Sequence, residues 1–232
     1  MSTERTRILY GRRRGRRLRP HRERLVTERL PRLAIDLEQA PGDPAAWFPQ
    51  PVAGVWLEVG FGGGEHLFAQ ATRHRDIGFI GCEPYINGVA RLLAAIDGAP
   101  GAVPAENIRL FPDDARLLIE RLPARSVERV FVLFPDPWPK ARHRRRRFIA
   151  PAQLDQLARV LKPGGELRLA TDHMEYLRWM LLHCGRHPAF EWLARTPADW
   201  RSRPDDAPPT RYEEKALAAG ARCVYLRYRR RA

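Results

Sequence analysis

A short apolar stretch, Val55–Val59, runs without a break into Gly60-Phe61-Gly62-Gly63-Gly64, and few local patterns restrict a fold more tightly. Glycines at such a turn let the backbone approach a ligand closely, and a following helix offers its unpaired N-terminal amides. A P-loop would have to end in Lys-Ser/Thr, which is absent here. A dinucleotide fingerprint would need glycine at its sixth position, where Glu65 stands, and Gly64 makes the spacing GxGxG instead. Glu58, two residues before the first glycine, would repel a pyrophosphate but suits a cationic ligand.

From Val55 onward the chain alternates between strand and helix patterns. Strands are expected at Val55–Val59, Gly78–Cys82, Ile108–Phe111, Arg129–Phe134 and Glu166–Ala170, each short and mostly apolar or β-branched. Helical periodicity falls near 65–73, 86–97, 114–121, 151–161 and 173–184. Repeated βα units of this kind imply a parallel sheet with helices on both faces. After Pro188 two further strands, Phe190–Leu193 and Val224–Tyr228, flank a Pro- and Asp-rich loop at 197–210. A mostly parallel, Rossmann-like seven-stranded sheet whose last strands include one antiparallel member is the class I methyltransferase plan. Leu161-Lys162-Pro163-Gly164-Gly165 reads as an architectural turn before the fifth strand.

Acidic residues recur at the carboxyl ends of these strands, where open α/β sheets bind ligands. Glu58 lies beside the glycine loop, Glu83 ends the second strand, and Asp114 follows the third. A carboxylate at Glu83 can accept both ribose hydroxyls of an adenosine, and Asp114 or its neighbouring amides can read an adenine edge. Asp114 also suits a plain helix N-cap. S-adenosylmethionine, with a sulfonium and an ammonium and no phosphate, satisfies all three acids.

The fourth strand leads into Phe134-Pro135-Asp136-Pro137-Trp138-Pro139-Lys140. Three prolines stiffen this turn, and each lacks an N–H to donate, a costly arrangement unless it positions something. The loop resembles the Asp/Asn-Pro-Pro-aromatic loop of exocyclic amine methyltransferases, although the order Asp-Pro-Trp differs. Arg142-His143-Arg144-Arg145-Arg146-Arg147 follows directly, and a cationic cluster beside a catalytic loop reads as a phosphate-gripping surface. Asp172 lies just beyond the fifth strand. Thr210-Arg211-Tyr212-Glu213 can serve as a substrate lid, and the same letters spell a helix capping box.

Net charge narrows the class of partner. Lys+Arg total 41 against 27 for Asp+Glu, a formal charge of +14, which points to a polyanion. The preference for Arg over Lys suits bidentate phosphate contacts and equally suits a GC-rich genome. Residues 1–33 carry much of this charge and little to bury, so they are expected to form a basic arm, mobile in free solution, ahead of a domain spanning 34–232. Cys82, Cys184 and Cys223 form no CxxC pair, which suits a reducing cytoplasm. No apolar run approaches the ~20 residues that span a bilayer, and no metal site is assigned. Monomer and homodimer both remain open.

Together, Glu58-Val59-Gly60-Phe61-Gly62, the Phe134–Arg147 block, Ala170-Thr171-Asp172 and Thr210–Glu213 resemble the tRNA (guanine-N7-)-methyltransferases. The resemblance implies methylation of N7 of a guanine at position 46 in the tRNA variable loop. It also implies a cofactor site holding Glu58, Gly60, Gly62, Gly64, Glu83, Asp114 and Asp136, with Asp136 the catalytic acid. By the same matching, Lys140, Asp172, Thr210, Arg211, Tyr212 and Glu213 would contact substrate. Arg142, His143, Arg144, Arg145, Arg146 and Arg147 would bind RNA. Asp114 stands where many relatives carry Asn. Rival readings are another RNA or DNA base methyltransferase, a non-catalytic basic RNA-binding module and a membrane-surface protein; the last lacks an apolar face to insert.

Overall fold

The computed structural model describes residues 10–39, 42–98 and 106–232. Its seven strands are β1 (Gly54–Val59), β2 (Ile77–Cys82), β3 (Ile108–Phe111), β4 (Val127–Leu133), β5 (Leu161–Thr171), β6 (Phe190–Trp192) and β7 (Val224–Arg230). They form one sheet in the order β3-β2-β1-β4-β5-β7-β6. The first five are parallel, and β7 runs antiparallel to both of its neighbours. The strand order reverses between β1 and β4, which opens a crevice at their carboxyl ends.

Side-chain alternation along β1 feeds two cores, as a pleated strand covered on both faces requires. Val55, Leu57 and Val59 join one apolar cluster, and Trp56 joins the other with Phe79 and Phe131. Before the sheet come α1 (Pro20–Glu28) and α2 (Leu30–Leu33). Within or after it are α3 (Glu65–Arg73), α4 (Ile86–Asp97), α5 (Ala115–Arg121), α6 (Pro151–Val160), α7 (Met174–Arg186), α8 (Ala198–Arg201) and α9 (Arg211–Ala218). Among the described residues, no helix is long and apolar enough to cross a membrane.

Most expected elements sit within a few residues of their predicted bounds, and the departures have local causes. The fourth strand stops at Leu133 because Phe134 adopts φ 50°. Lys162–Gly165 forms a bulge inside β5, between the Val127/Leu161 and Arg129/Glu166 pairs. Phe48 is buried, and its ring packs over Gly78 where any side chain would collide with it.

Residues 1–9 of the basic arm lie outside the described residues, and residues 10–33 lie against the domain. Leu25 and Leu30 are buried in the cluster that also holds Val89 and Leu93 of α4. Arg29 pairs with Asp97 at 2.7 Å. Ala34 then pairs with Leu110, covering the open edge of β3. A charge count alone had no way to register two leucines placed to fill that groove.

Candidate active site

Gly60, Gly62 and Gly64 adopt φ 73°, 57° and 81°, a left-handed region that disfavours L side chains. The turn is held from the second strand: Gly60 N–H donates to Cys82 O at 2.8 Å. The Glu83 carboxylate accepts from Gly62 N–H at 2.7 Å and from Tyr85 N–H at 2.9 Å. Each oxygen keeps a further lone pair free for a hydroxyl. Burial pushes the Glu83 carboxyl up, the two amides oppose that shift, and the charges of Asp136 and Glu58 add to it.

Helix α4 begins directly behind the loop. A Cβ at Gly88 would stand 2.1 Å from Gly62 O, a clash with backbone that no rotamer relieves. Gly88→Ala is therefore expected to displace the glycine loop and weaken donor binding by at least tenfold, with the sheet intact. Calorimetric titration beside a circular dichroism spectrum checks this.

The crevice encloses about 450 Å³, within the range of small-molecule sites. Glu58, Glu83, Asp114 and Asp136 all reach it, as do Gly60 and Gly62; Gly64 instead caps α3 from behind. Asp114 is also the N-cap of α5, accepting from Arg116 N–H at 3.0 Å, so its capping role is formed while the residue lines the crevice. Glu58 is buried and bound through Oε2 to Nδ1 of His66 at 2.7 Å. The crevice thus offers a carboxylate with spare lone pairs for a ribose and several acids for a cation. This donor set fits S-adenosylmethionine.

At the mouth, Phe134 (φ 50°) and Trp138 (φ 43°) place two non-glycine residues in the left-handed region on either side of Asp136. Strain of this kind persists only where the surroundings impose it. Phe134 N–H donates to Ala170 O at 2.8 Å and anchors one end. Arg147 anchors the other, donating to Pro137 O at 2.9 Å and to Glu175 Oε2 at 3.0 Å. Its guanidinium lies 5.1 Å from the Tyr176 ring and 5.0 Å from that of Trp179. Asp136 remains open to solvent on one side, while the wall behind it raises its carboxyl above the ordinary range by desolvation.

This placement corrects one expectation. Arg147 is 1% exposed and cannot meet a phosphate, because stacking and loop carbonyls absorb it. Arg142, Arg144, Arg145 and Lys140 do face solvent, and Arg144 pairs with Glu175 at 3.0 Å. His143 packs edge-on to Trp138, and desolvation, with Arg146 and the other cations near it, holds its imidazole below the usual value. Arg146 lies 4.9 Å from Trp138 and 4.7 Å from Tyr10, on the crevice wall.

The Thr210–Glu213 segment divides. Its capping box is formed, with Thr210 Oγ1 accepting from Glu213 N–H at 3.1 Å. Thr210 and Tyr212 line the crevice, whereas Arg211 points to solvent. Glu213 is buried away from the crevice, bound by Arg203 at 3.0 Å and by the Tyr225 hydroxyl. Asp172 is exposed at the end of β5, outside the crevice lining. Sequence reasoning missed Tyr10, which lines the crevice, and His66, eight residues from the acid it serves. Neither spacing carries a motif.

A family model described as "Putative methyltransferase" matches residues 53–226. A tRNA (guanine-N(7)-)-methyltransferase of Rhodospirillum rubrum is 52% identical over 226 residues, 96% of this chain and 87% of that protein. One of Brucella melitensis biotype 1 is 48% identical over 223 residues, 96% of this chain and 94% of that protein. Among solved structures, that of an antibiotic-related methyltransferase superposes with a TM-score of 0.54 at 15% identity, covering 78% of this chain and 89% of that one, and shows the shared fold. With identity near one half sustained over nearly the whole length, this chain belongs to the tRNA (guanine-N(7)-)-methyltransferase family.

Proposed function

We propose that this protein transfers a methyl group from S-adenosylmethionine to N7 of a guanine in tRNA, at position 46 in the variable loop, and that it works in the cytoplasm. The observation that carries this reading is the strained Asp136 loop, set between an acidic crevice and an arginine-rich face.

N7 of guanine carries a lone pair and no proton, so the protein need not generate a nucleophile. The bound cofactor supplies an electrophilic methyl group on its sulfonium. Glu58, Glu83 and Asp114 hold it, and Gly60 and Gly62 admit it close to the backbone. Asp136 accepts hydrogen bonds from the base's N1–H and exocyclic amino group and offsets the positive charge that moves onto the purine. Trp138 walls the base. Thr210 and Tyr212, on the crevice lining, contact the nucleotide together with the solvent-facing Lys140 and Asp172, and Arg142, Arg144, Arg145 and Arg146 engage phosphates. The catalytic contribution is alignment, which can lower a barrier by roughly 7–11 kcal/mol.

The test is incubation of the purified protein with tRNA and methyl-labelled donor, followed by nucleoside mass spectrometry. Label in 7-methylguanosine is the expected result. Label in N6-methyladenosine would indicate another base methyltransferase, and salt-sensitive RNA binding without donor uptake would indicate a non-catalytic RNA-binding module.

A further inference from the structure

Glu58 is not set by the crevice alone. Its Oε2 lies 2.7 Å from Nδ1 of His66, and the other imidazole nitrogen faces Nε2 of Gln70 at 3.4 Å. Both side chains belong to α3, and both are nearly sealed, at 3% and 1% exposure. The same Gln70 nitrogen donates to the backbone carbonyl of Asp206 at 2.8 Å. Asp206 lies in the loop that leads into Thr210, and that loop is tied down independently. The Asp206 carboxylate pairs with Arg168 at 2.7 Å, and Arg73 donates to the Asp206 carbonyl at 3.1 Å.

Donor and acceptor accounting then constrains the row. A backbone carbonyl can only accept, so the Gln70 atom facing Asp206 is the amide nitrogen. That amide presents its second N–H to His66, so the nitrogen it meets must be a bare acceptor. In this arrangement Nδ1 donates to Glu58 and Nε2 accepts from Gln70. A protonated imidazole would set N–H against N–H. Rotating the Gln70 amide to relieve that would press its oxygen against the Asp206 carbonyl. Gln70 Oε1 has no hydrogen-bond partner among the described residues, so nothing else selects this orientation. Arg168, Arg203 and Glu213 line the small cavity beside the ring, and Phe131 packs on it at 4.7 Å.

We infer that Gln70 and His66 are positioning residues for Glu58. Seating of the 203–210 loop on Gln70 keeps His66 neutral, and a neutral His66 leaves Glu58 a full carboxylate whose second oxygen is free for the cationic donor. The inference rests on the reading of this crevice as the donor site. The loop that carries Thr210 and Tyr212 to the crevice thereby also sets the charge at the glycine turn. When it lifts, Gln70 can rotate, His66 can take a proton, and Glu58 loses its free charge to the imidazolium.

The experiment uses the full-length protein with ¹⁵N-labelled histidine. At neutral pH the His66 resonances are expected to report a neutral ring protonated at Nδ1. In Gln70→Glu, whose side chain can accept from Nε2–H but cannot donate to Asp206, they should shift to the imidazolium pattern. Affinity for S-adenosylmethionine should fall by about tenfold in calorimetry, and protease should cut the 197–210 loop faster. An imidazolium or an Nε2–H tautomer in the unmodified protein overturns the inference, and that measurement stands even if the variant does not fold. A folded variant with unchanged donor affinity overturns it as well. An unmodified protein that takes up no donor at all instead sinks the assignment of the crevice.

Discussion

Asp136→Asn is expected to lower kcat/KM for tRNA methylation by about 10²-fold, close to 2.7 kcal/mol of transition-state stabilisation at about 1.4 kcal/mol per decade. The amide keeps the shape of the side chain but turns one acceptor into a donor, which would face the N–H groups of guanine. It also withdraws the negative charge that, on the proposed mechanism, offsets cation formation on the purine. Donor affinity should change by only a few fold, because Glu58, Glu83 and Asp114 remain in the crevice. The pH profile separates this account from a structural one. Desolvation raises the Asp136 carboxyl, so activity should climb with pH through a value above the ordinary carboxylate range, as the group ionises. Glu83 is raised too. An acidic limb that survives in Asp136→Asn would assign it to Glu83, and near-normal turnover in the variant would remove Asp136 from the chemistry.

The parts of this site legible in the sequence are those whose physics is local. The glycine turn needs left-handed backbone, the acids follow apolar strands, and the prolines of the Pro-Asp-Pro-Trp turn fix its backbone, so each leaves a mark within a few letters. Contacts made by the fold leave none. Arg147 shares its letter with the arginines before it, yet Tyr176 and Trp179, about thirty positions downstream on α7, decide that it is buried. Glu213 completes a capping box that any reader can spell, but only the approach of Arg203 and Tyr225 shows that it turns inward. Likewise the arm reads as solvated charge, while Leu25 and Leu30 find their groove only once α4 exists. Sequence pattern places backbone and chemistry at strand ends; packing then chooses which members of a charged run remain available.

That choice makes Arg147→Ala the sharpest contrast with its neighbours. The substitution removes a guanidinium stacked between two rings and the donors that hold Pro137 O and Glu175, and it leaves a cavity under a loop that is already strained. Large-to-small changes in such settings cost about 3 kcal/mol, which for a chain of this size lowers Tm by roughly 6–12 °C. With its anchor gone, the Trp138 backbone can relax out of φ 43°, so kcat should fall even at temperatures where the protein is folded. Arg147→Lys should recover only part of either loss, since an ammonium neither stacks as a plane nor forks toward a carbonyl and a carboxylate together. Arg145→Ala, on the exposed side of the same run, should melt within about 0.5 kcal/mol of the parent and weaken tRNA binding with a shallower salt slope. Thermal melts and tRNA titrations at two salt concentrations resolve the pair. If Arg147→Ala melts like the parent and loses only salt-dependent RNA affinity, Arg147 is a phosphate ligand after all and the loop is held by something else.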